Sequence, residues 1–281
     1  MKYRRVGDEN ELAAALRQPG SAILAGGTDL LVKIRGGFVR PELLVDIGPV
    51  TTLRGIRRTA SAVEIGAGVP ESDVLASPIV RQELSLLATA LRALGSVQIR
   101  HRGTLGGNLA NASPAADSAI PLLLYDAELD LVGPGGERTL PVERFLLGPG
   151  TTALGSGEFV RTIRVPVPAA AGRGFYHKVG RRRALSIAIA SLGAQIRLDE
   201  ERIDEARFAA GSVAPTPIRL RAVEDVLRGS TLSDETIANA GRLASASVSP
   251  ISDVRAPAAY RAQVIGELVT AALRSAAAPF G

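Results

Sequence analysis

The sequence predicts an α+β protein built in two parts, and three observations lead there. Two glycine-rich segments stand in the first half, Ala25-Gly26-Gly27-Thr28-Asp29-Leu30 and Gly103-Thr104-Leu105-Gly106-Gly107-Asn108, set among short strand-like and helical stretches. The run Pro166-Val167-Pro168 followed by Ala169-Ala170-Ala171-Gly172 then interrupts the pattern and reads as a linker. Beyond it come three strand-like segments and then three helical ones. That order packs helices on one face of an antiparallel sheet.

Taken in order, residues 8–17 read as a short helix. Asp8 is its cap, Glu11 lies three residues on, and Leu12 and Leu16 share a face. Residues 21–25 form an apolar strand that runs into the first Gly-Gly pair. Residues 30–34 and Gly36-Gly37 lead to a second strand over 43–47, giving a compact strand–loop–strand unit. Residues 53–58 and 63–65 read as strands joined by a turn at Thr59-Ala60-Ser61. Residues 77–94 read as one long helix, with Ser77 as cap, Pro78 in the first turn, an apolar stripe from Ile79 to Leu94 and Gly95 as the stop. Residues 122–125 are apolar. Residues 128–132 and 138–140 read as a hairpin around Gly133-Pro134-Gly135-Gly136, and 159–165 as a further strand. After the linker, strands are expected over 175–179, 186–198 and 206–210, with a turn at Asp199-Glu200-Glu201. Helices are expected over 219–228, 234–247 and 259–276.

Composition narrows the function. A chain of 281 residues that is 46% hydrophobic and 22% charged builds a packed core. It has no Cys, which excludes disulfides, thiol chemistry and a cysteine-ligated iron–sulfur cluster in this chain. His101 and His177 are the only imidazoles, so no metal site is assigned. The net charge of +5 raises a nucleic-acid reading, but the Arg residues are dispersed apart from Arg100-His101-Arg102 and Arg181-Arg182-Arg183, and no stacking aromatics accompany them. No run approaches the ~20 apolar residues that cross a bilayer, and no early segment reads as a signal peptide, so a cytoplasmic protein is expected.

The glycine segments carry the chemistry. A Gly-Gly pair allows positive φ and brings bare N–H groups near a ligand. Successive inward N–H groups form a nest for phosphate oxygens. Two such loops point to a diphosphate held from both sides, and so to a dinucleotide. The Rossmann G-x-G-x-x-G and the P-loop signature are both absent.

With these segments in view, the chain resembles the FAD-binding medium subunit of molybdenum hydroxylases of the xanthine dehydrogenase family, similar to carbon monoxide dehydrogenase medium subunits. The run Gly103-Thr104-Leu105-Gly106-Gly107-Asn108-Leu109-Ala110-Asn111-Ala112-Ser113-Pro114-Ala115-Ala116-Asp117 resembles the family's second pyrophosphate loop. The first loop with Lys33-Ile34-Arg35 resembles its first. The resemblance implies a PCMH-type FAD-binding domain over 1–168, with subdomains of about 1–52 and 53–168. A C-terminal domain over 173–281 would hold a three-stranded antiparallel sheet and a helical bundle. It implies FAD held by Ala25, Gly26, Gly27, Thr28, Asp29 and Leu30 on one side and by Thr104, Leu105, Gly106, Gly107 and Asn108 on the other. Asp117 would accept near the adenosine sugar, Leu154 would pack near a ring, Lys178 would lie close to the flavin, and Tyr176 is a stacking candidate. The stretch Ala184-Leu185-Ser186-Ile187 departs from the family, whose members often carry an acidic residue there.

By the same resemblance the chain is an electron-transfer subunit and needs no catalytic acid–base pair. A large partner would bind the molybdenum cofactor and a small partner two [2Fe–2S] clusters, in a dimer of heterotrimers. FAD would pass electrons to an external acceptor such as NAD, a quinone or oxygen. The other readings are a standalone FAD-dependent oxidase or reductase of the same fold and a basic nucleic-acid-binding protein. Each residue also has a plainer reading. Asp29 and Asp117 suit turns or caps, Lys33 and Arg35 a solvated face, Lys178 a snorkelling lysine, His101 an exposed position, and Arg181–Arg183 solvent or an acidic partner surface.

Overall fold

An all-parallel three-stranded sheet opens the chain in the computed structural model, which describes residues 1–167, 172–182 and 185–277. Strand β1 (Lys2–Arg5) is followed by helix α1 (Glu9–Leu16), strand β2 (Ser21–Leu24), helix α2 (Leu30–Arg35) and strand β3 (Leu43–Asp46). β3 lies between the other two, with Leu24 opposite Asp46. Asp8 caps α1 as expected, accepting from the Glu11 N–H at 2.8 Å. Leu12, Ala15 and Leu16 bury α1 against Val45 and Ile47. β1 was not anticipated, because all four of its side chains are exposed and leave no apolar pattern. α2 replaces the irregular stretch expected after the first glycine pair, and none of its residues is buried.

A five-stranded antiparallel sheet follows, in the order β4-β5-β10-β6-β7. Strands β4 (Ile56–Arg58) and β5 (Ala62–Gly66) form its first hairpin. Helices α3 (Glu71–Ala76), α4 (Pro78–Glu83), α5 (Ser85–Ala93), α6 (Val97–Arg102), α7 (Leu105–Ala110) and α8 (Ala119–Leu124) come next. The single helix expected over 77–94 is thus two. Ser77 accepts from the Val80 N–H, but Leu84 leaves helical geometry at φ −129°, ψ 48°. Leu84 is fully buried and Leu87 and Leu91 continue the apolar stripe, so the break leaves no trace in the periodicity. Strands β6 (Glu128–Gly133) and β7 (Gly136–Pro141) make the expected hairpin, with Gly136 at φ +98°. Helix α9 (Val142–Phe145) and the short strands β8 (Leu146–Gly148) and β9 (Thr151–Thr152) lead into β10 (Phe159–Pro166).

The chain forms two compact units. The first comprises residues 1–84, 96–112 and 126–167. The second takes α5 with residues 85–95, α8 with residues 113–125, and the described residues beyond 171. In the second unit the sheet β11 (Arg173–Val179), β12 (Ala190–Asp199), β13 (Arg202–Gly211) and β14 (Ile218–Arg219) is antiparallel. It has four strands rather than the three expected, the fourth being only two residues long. One face carries Leu192, Ala194, Ile196, Phe208 and Ala210 and packs on helices α10 (Arg221–Leu227), α11 (Asp234–Ala246) and α12 (Ala258–Ala277). α11 and α12 meet through glycines, and a Cβ on Gly266 would lie 2.7 Å from the Gly241 carbonyl.

The other face receives α8, all six of whose residues are buried. Gly193 makes room for it, since a Cβ there would lie 2.6 Å from Ile120 Cγ2. Arg219 and Arg207 donate to the terminal carbonyls of α8, at Leu123 (3.1 Å) and Leu124 (2.8 Å). The last carbonyls of a helix lack the usual i+4 donors, and cations complement that end. Pro168, the linker residues Ala169–Ala171, and Arg183 and Ala184 from the basic run and the family departure lie outside the described residues.

Candidate functional site

The first glycine segment leaves β2 at the carboxyl end of the parallel sheet, the end where α/β sheets take ligands. Ala25, Gly26, Gly27, Thr28 and Leu30 are half-buried and Asp29 is exposed. Gly26 rests on the Arg102 backbone so closely that a Cβ would stand 1.9 Å from the Arg102 carbonyl oxygen. Gly27 turns the chain at φ +73°, in the left-handed region that favours glycine. The N–H groups of Gly26, Gly27, Thr28, Asp29 and Leu30 donate to no partner among the described residues. Asp29 stands at the N-cap position of α2, yet its carboxylate makes no capping bond, so the plain cap reading fails for its side chain. Five consecutive open donors beside a glycine turn are a fitting cradle for diphosphate oxygens.

The second segment differs from expectation. It is the first turn of α7 rather than an open loop. Thr104 is the N-cap and its Oγ1 accepts from the Gly107 N–H at 3.0 Å. The Leu105, Gly106 and Asn108 N–H groups donate to Val69 (3.1 Å), Ala67 (3.0 Å) and Thr104 (2.9 Å) carbonyls. No second nest forms, because the backbone donors of 105–108 are already used. Gly106 serves close packing, with a Cβ there 2.7 Å from the Ala67 carbonyl. Thr104, Leu105 and Gly106 are buried, whereas Gly107 is exposed and Asn108 half-buried. The segment abuts the first loop, since a Gly107 Cβ would lie 4.0 Å from that of Ala25.

Lys33 is half-buried rather than fully solvated. Its Nζ donates to Asn111 Oδ1 at 2.6 Å, across 78 residues of sequence. Arg35 and His101 are exposed, and Leu154 is half-buried beyond β9, its N–H on Thr152 Oγ1 at 3.4 Å.

In the second unit, three residues read one by one from the sequence form a single buried cluster. Asp117 Oδ1 accepts from the Tyr176 hydroxyl at 2.7 Å and Oδ2 from Lys178 Nζ at 2.6 Å. Lys178 also donates to the Ala93 carbonyl at 3.0 Å. Burial pushes the Asp117 carboxyl above its ordinary range, and the Lys178 ammonium and both hydrogen bonds pull it back part of the way. Burial, with the Asp117 charge, raises the Tyr176 phenol well above its usual value. Tyr176 and Lys178 are two residues apart on β11 and so share a face of the sheet. That spacing is legible in the sequence, but the arrival of Asp117 from 61 residues away is not. Of the basic run, Arg181 donates to the Val254 carbonyl at 3.5 Å and Arg182 to that of Leu185 at 2.9 Å.

No helix among the described residues is long and apolar enough to cross a membrane. The FAD binding domain in molybdopterin dehydrogenase matches residues 1–168, and the CO dehydrogenase flavoprotein C-terminal domain matches residues 175–276. The carbon monoxide dehydrogenase medium chain of Hydrogenophaga pseudoflava is 36% identical over 277 residues, 98% of this chain and 96% of that one. A putative xanthine dehydrogenase FAD-binding subunit of Escherichia coli is 32% identical over 265 residues, covering 94% of this chain and 91% of that one. Among solved structures, the carbon monoxide dehydrogenase of Hydrogenophaga pseudoflava lacking the Mo-pyranopterin moiety superposes with a TM-score of 0.94 at 35% identity, covering 98% and 96% of the two chains. Quinoline 2-oxidoreductase from Pseudomonas putida gives 0.94 at 27% identity, covering 99% of this chain and 96% of that one. With both domain families along its length, the chain belongs to the xanthine dehydrogenase family as a FAD-binding, medium-chain oxidoreductase subunit of the molybdenum hydroxylase type.

Proposed function

We propose that the chain is the electron-transfer flavoprotein of a three-subunit complex. A large subunit would hold the molybdenum cofactor and a small one two [2Fe–2S] clusters, in a cytoplasmic dimer of heterotrimers. Bound FAD supplies the redox chemistry, accepting electrons from the clusters and releasing them to an external acceptor such as NAD, a quinone or oxygen. The observation that carries the reading is the open row of N–H groups from Gly26 to Leu30. These groups bind and orient the diphosphate, with Thr28 and Asp29 adding polar contacts. Residues 104–108 then contribute through the Thr104 hydroxyl and the Asn108 side chain rather than through a nest. Asp117, Tyr176, Lys178 and Leu154 complete the proposed FAD set, on a domain division at 1–168 and 173–281.

The absence of cysteine supports placing the clusters in another chain. The pairing of Asp117 with both Tyr176 and Lys178 supports holding and orienting rather than proton abstraction, because both carboxylate oxygens are engaged. The test is affinity capture of the tagged chain from its native cells, with metal analysis of what accompanies it. Molybdenum, iron and reduction of the bound flavin by the complex's substrate are expected. A captured chain that carries FAD alone and oxidises an alcohol or sugar unaided would overturn the proposal in favour of a standalone oxidase.

A further inference from the structure

Helix α2 follows directly from the open loop, yet it buries none of its residues. Leu31 is 40% exposed and Val32 62% exposed, and Leu30 and Ile34 are only half-buried, so the hydrophobic anchoring of this short helix is weak. Beside the half-buried Leu30 and Ile34, two close contacts tie the loop–helix segment to the rest of its unit. At one end Gly26 seats on the Arg102 backbone. At the other, Lys33 Nζ reaches Asn111 Oδ1 at 2.6 Å. Asn111 is the C-cap of α7, whose first turn is the second glycine segment. α7 is itself fixed, with Leu105, Gly106 and Leu109 buried and its first N–H groups bonded.

We infer that the Lys33–Asn111 hydrogen bond is a strut that positions the open loop against α7 and thereby sets FAD affinity. Lys33 is then a positioning residue that acts through Asn111, not a phosphate ligand. A bond from a charged donor, half shielded from water, is among the stronger single contacts a protein makes. With only half-buried apolar residues to back it up, its loss loosens the five N–H groups, and the binding cost is the entropy of re-fixing them. This inference rests on the loop being where the FAD diphosphate sits.

The test is FAD titration of the deflavinated full-length chain, followed by flavin fluorescence. Lys33→Met and Asn111→Ala are each expected to weaken binding by about tenfold. The double variant should be no weaker than either single one, and Asn111→Asp, which keeps an acceptor oxygen for the ammonium, should bind like the parent. A weakened Lys33→Met beside an unchanged Asn111→Ala would make Lys33 a direct ligand and overturn the strut. Additive losses in the double variant, or failure of Asn111→Asp to rescue, would overturn it as well. A parent chain that takes up no FAD would instead defeat the reading of the loop itself.

Discussion

At the scale of single residues, the constraint is set by how closely atoms approach. Gly26 admits no side chain, because its Cβ would meet a backbone oxygen at 1.9 Å and neither partner can rotate away. Gly26→Ala is expected to cost about 1–3 kcal/mol, as overpacking does, and to lower the flavin content of the purified chain. A variant that keeps full flavin and an unchanged urea midpoint would contradict this. The Asp117–Lys178 pair makes a second prediction. Their side chains are 5% and 10% exposed, so removing either partner strands a charge, at a cost of about 3–5 kcal/mol. In Lys178→Met the stranded group is Asp117, already pushed upward by burial. Its folded pKa then stands further above the unfolded value, so the folded state holds the extra proton and stability returns as pH falls through that folded pKa. Urea unfolding of Lys178→Met should therefore show a deficit at about pH 7 that narrows toward about pH 5. In Asp117→Asn the stranded group is an ammonium, and the deficit should not narrow on acidification. Equal behaviour of the two variants would refute the pairing.

At the scale of elements, α8 illustrates how a segment with no legible period is built into the second unit. It is buried all round, relieved by Gly193 below and capped by Arg207 and Arg219. Arg219 also grips Glu224, with donor–acceptor distances of 2.8 and 2.9 Å, and Glu224 accepts from the Phe208 N–H. Arg219→Met should then destabilise by about 3 kcal/mol or more, since Glu224 loses its cation while buried. Differential scanning calorimetry would read this, and a midpoint equal to the parent's would contradict it. Elements with a strong local signal were legible from sequence. These include α1 with its Asp8 cap, the hairpin at Gly133–Gly136 and the C-terminal strands and helices. β1 is hidden because all four of its residues are exposed and leave no apolar pattern. The break at Leu84 was hidden because burial continues across it. α7 reads as a loop because glycines that serve close packing look the same, in sequence, as glycines that cradle an anion. Lys33–Asn111 and Asp117–Lys178 were out of reach, since nothing local marks contacts spanning 78 and 61 residues.

At the scale of the whole molecule, each unit contributes a different kind of site. The first offers open backbone donors beside a tightly seated glycine turn. The second offers a buried, mutually satisfied Asp–Tyr–Lys cluster. Both suit a protein that holds a cofactor and tunes its surroundings while the cofactor carries the electrons. The two glycine segments are alike in sequence but unlike in state, one with its N–H groups open and one with them closed. Hydrogen–deuterium exchange of the full-length chain, with and without FAD, separates them directly. Amides of residues 26–30 should exchange fast in the FAD-free chain and slow markedly when FAD is added, whereas amides of 105–108 should be protected in both. Protection that appears only at 105–108 on adding FAD, with 26–30 unchanged, would contradict the assignment of the diphosphate to the first loop.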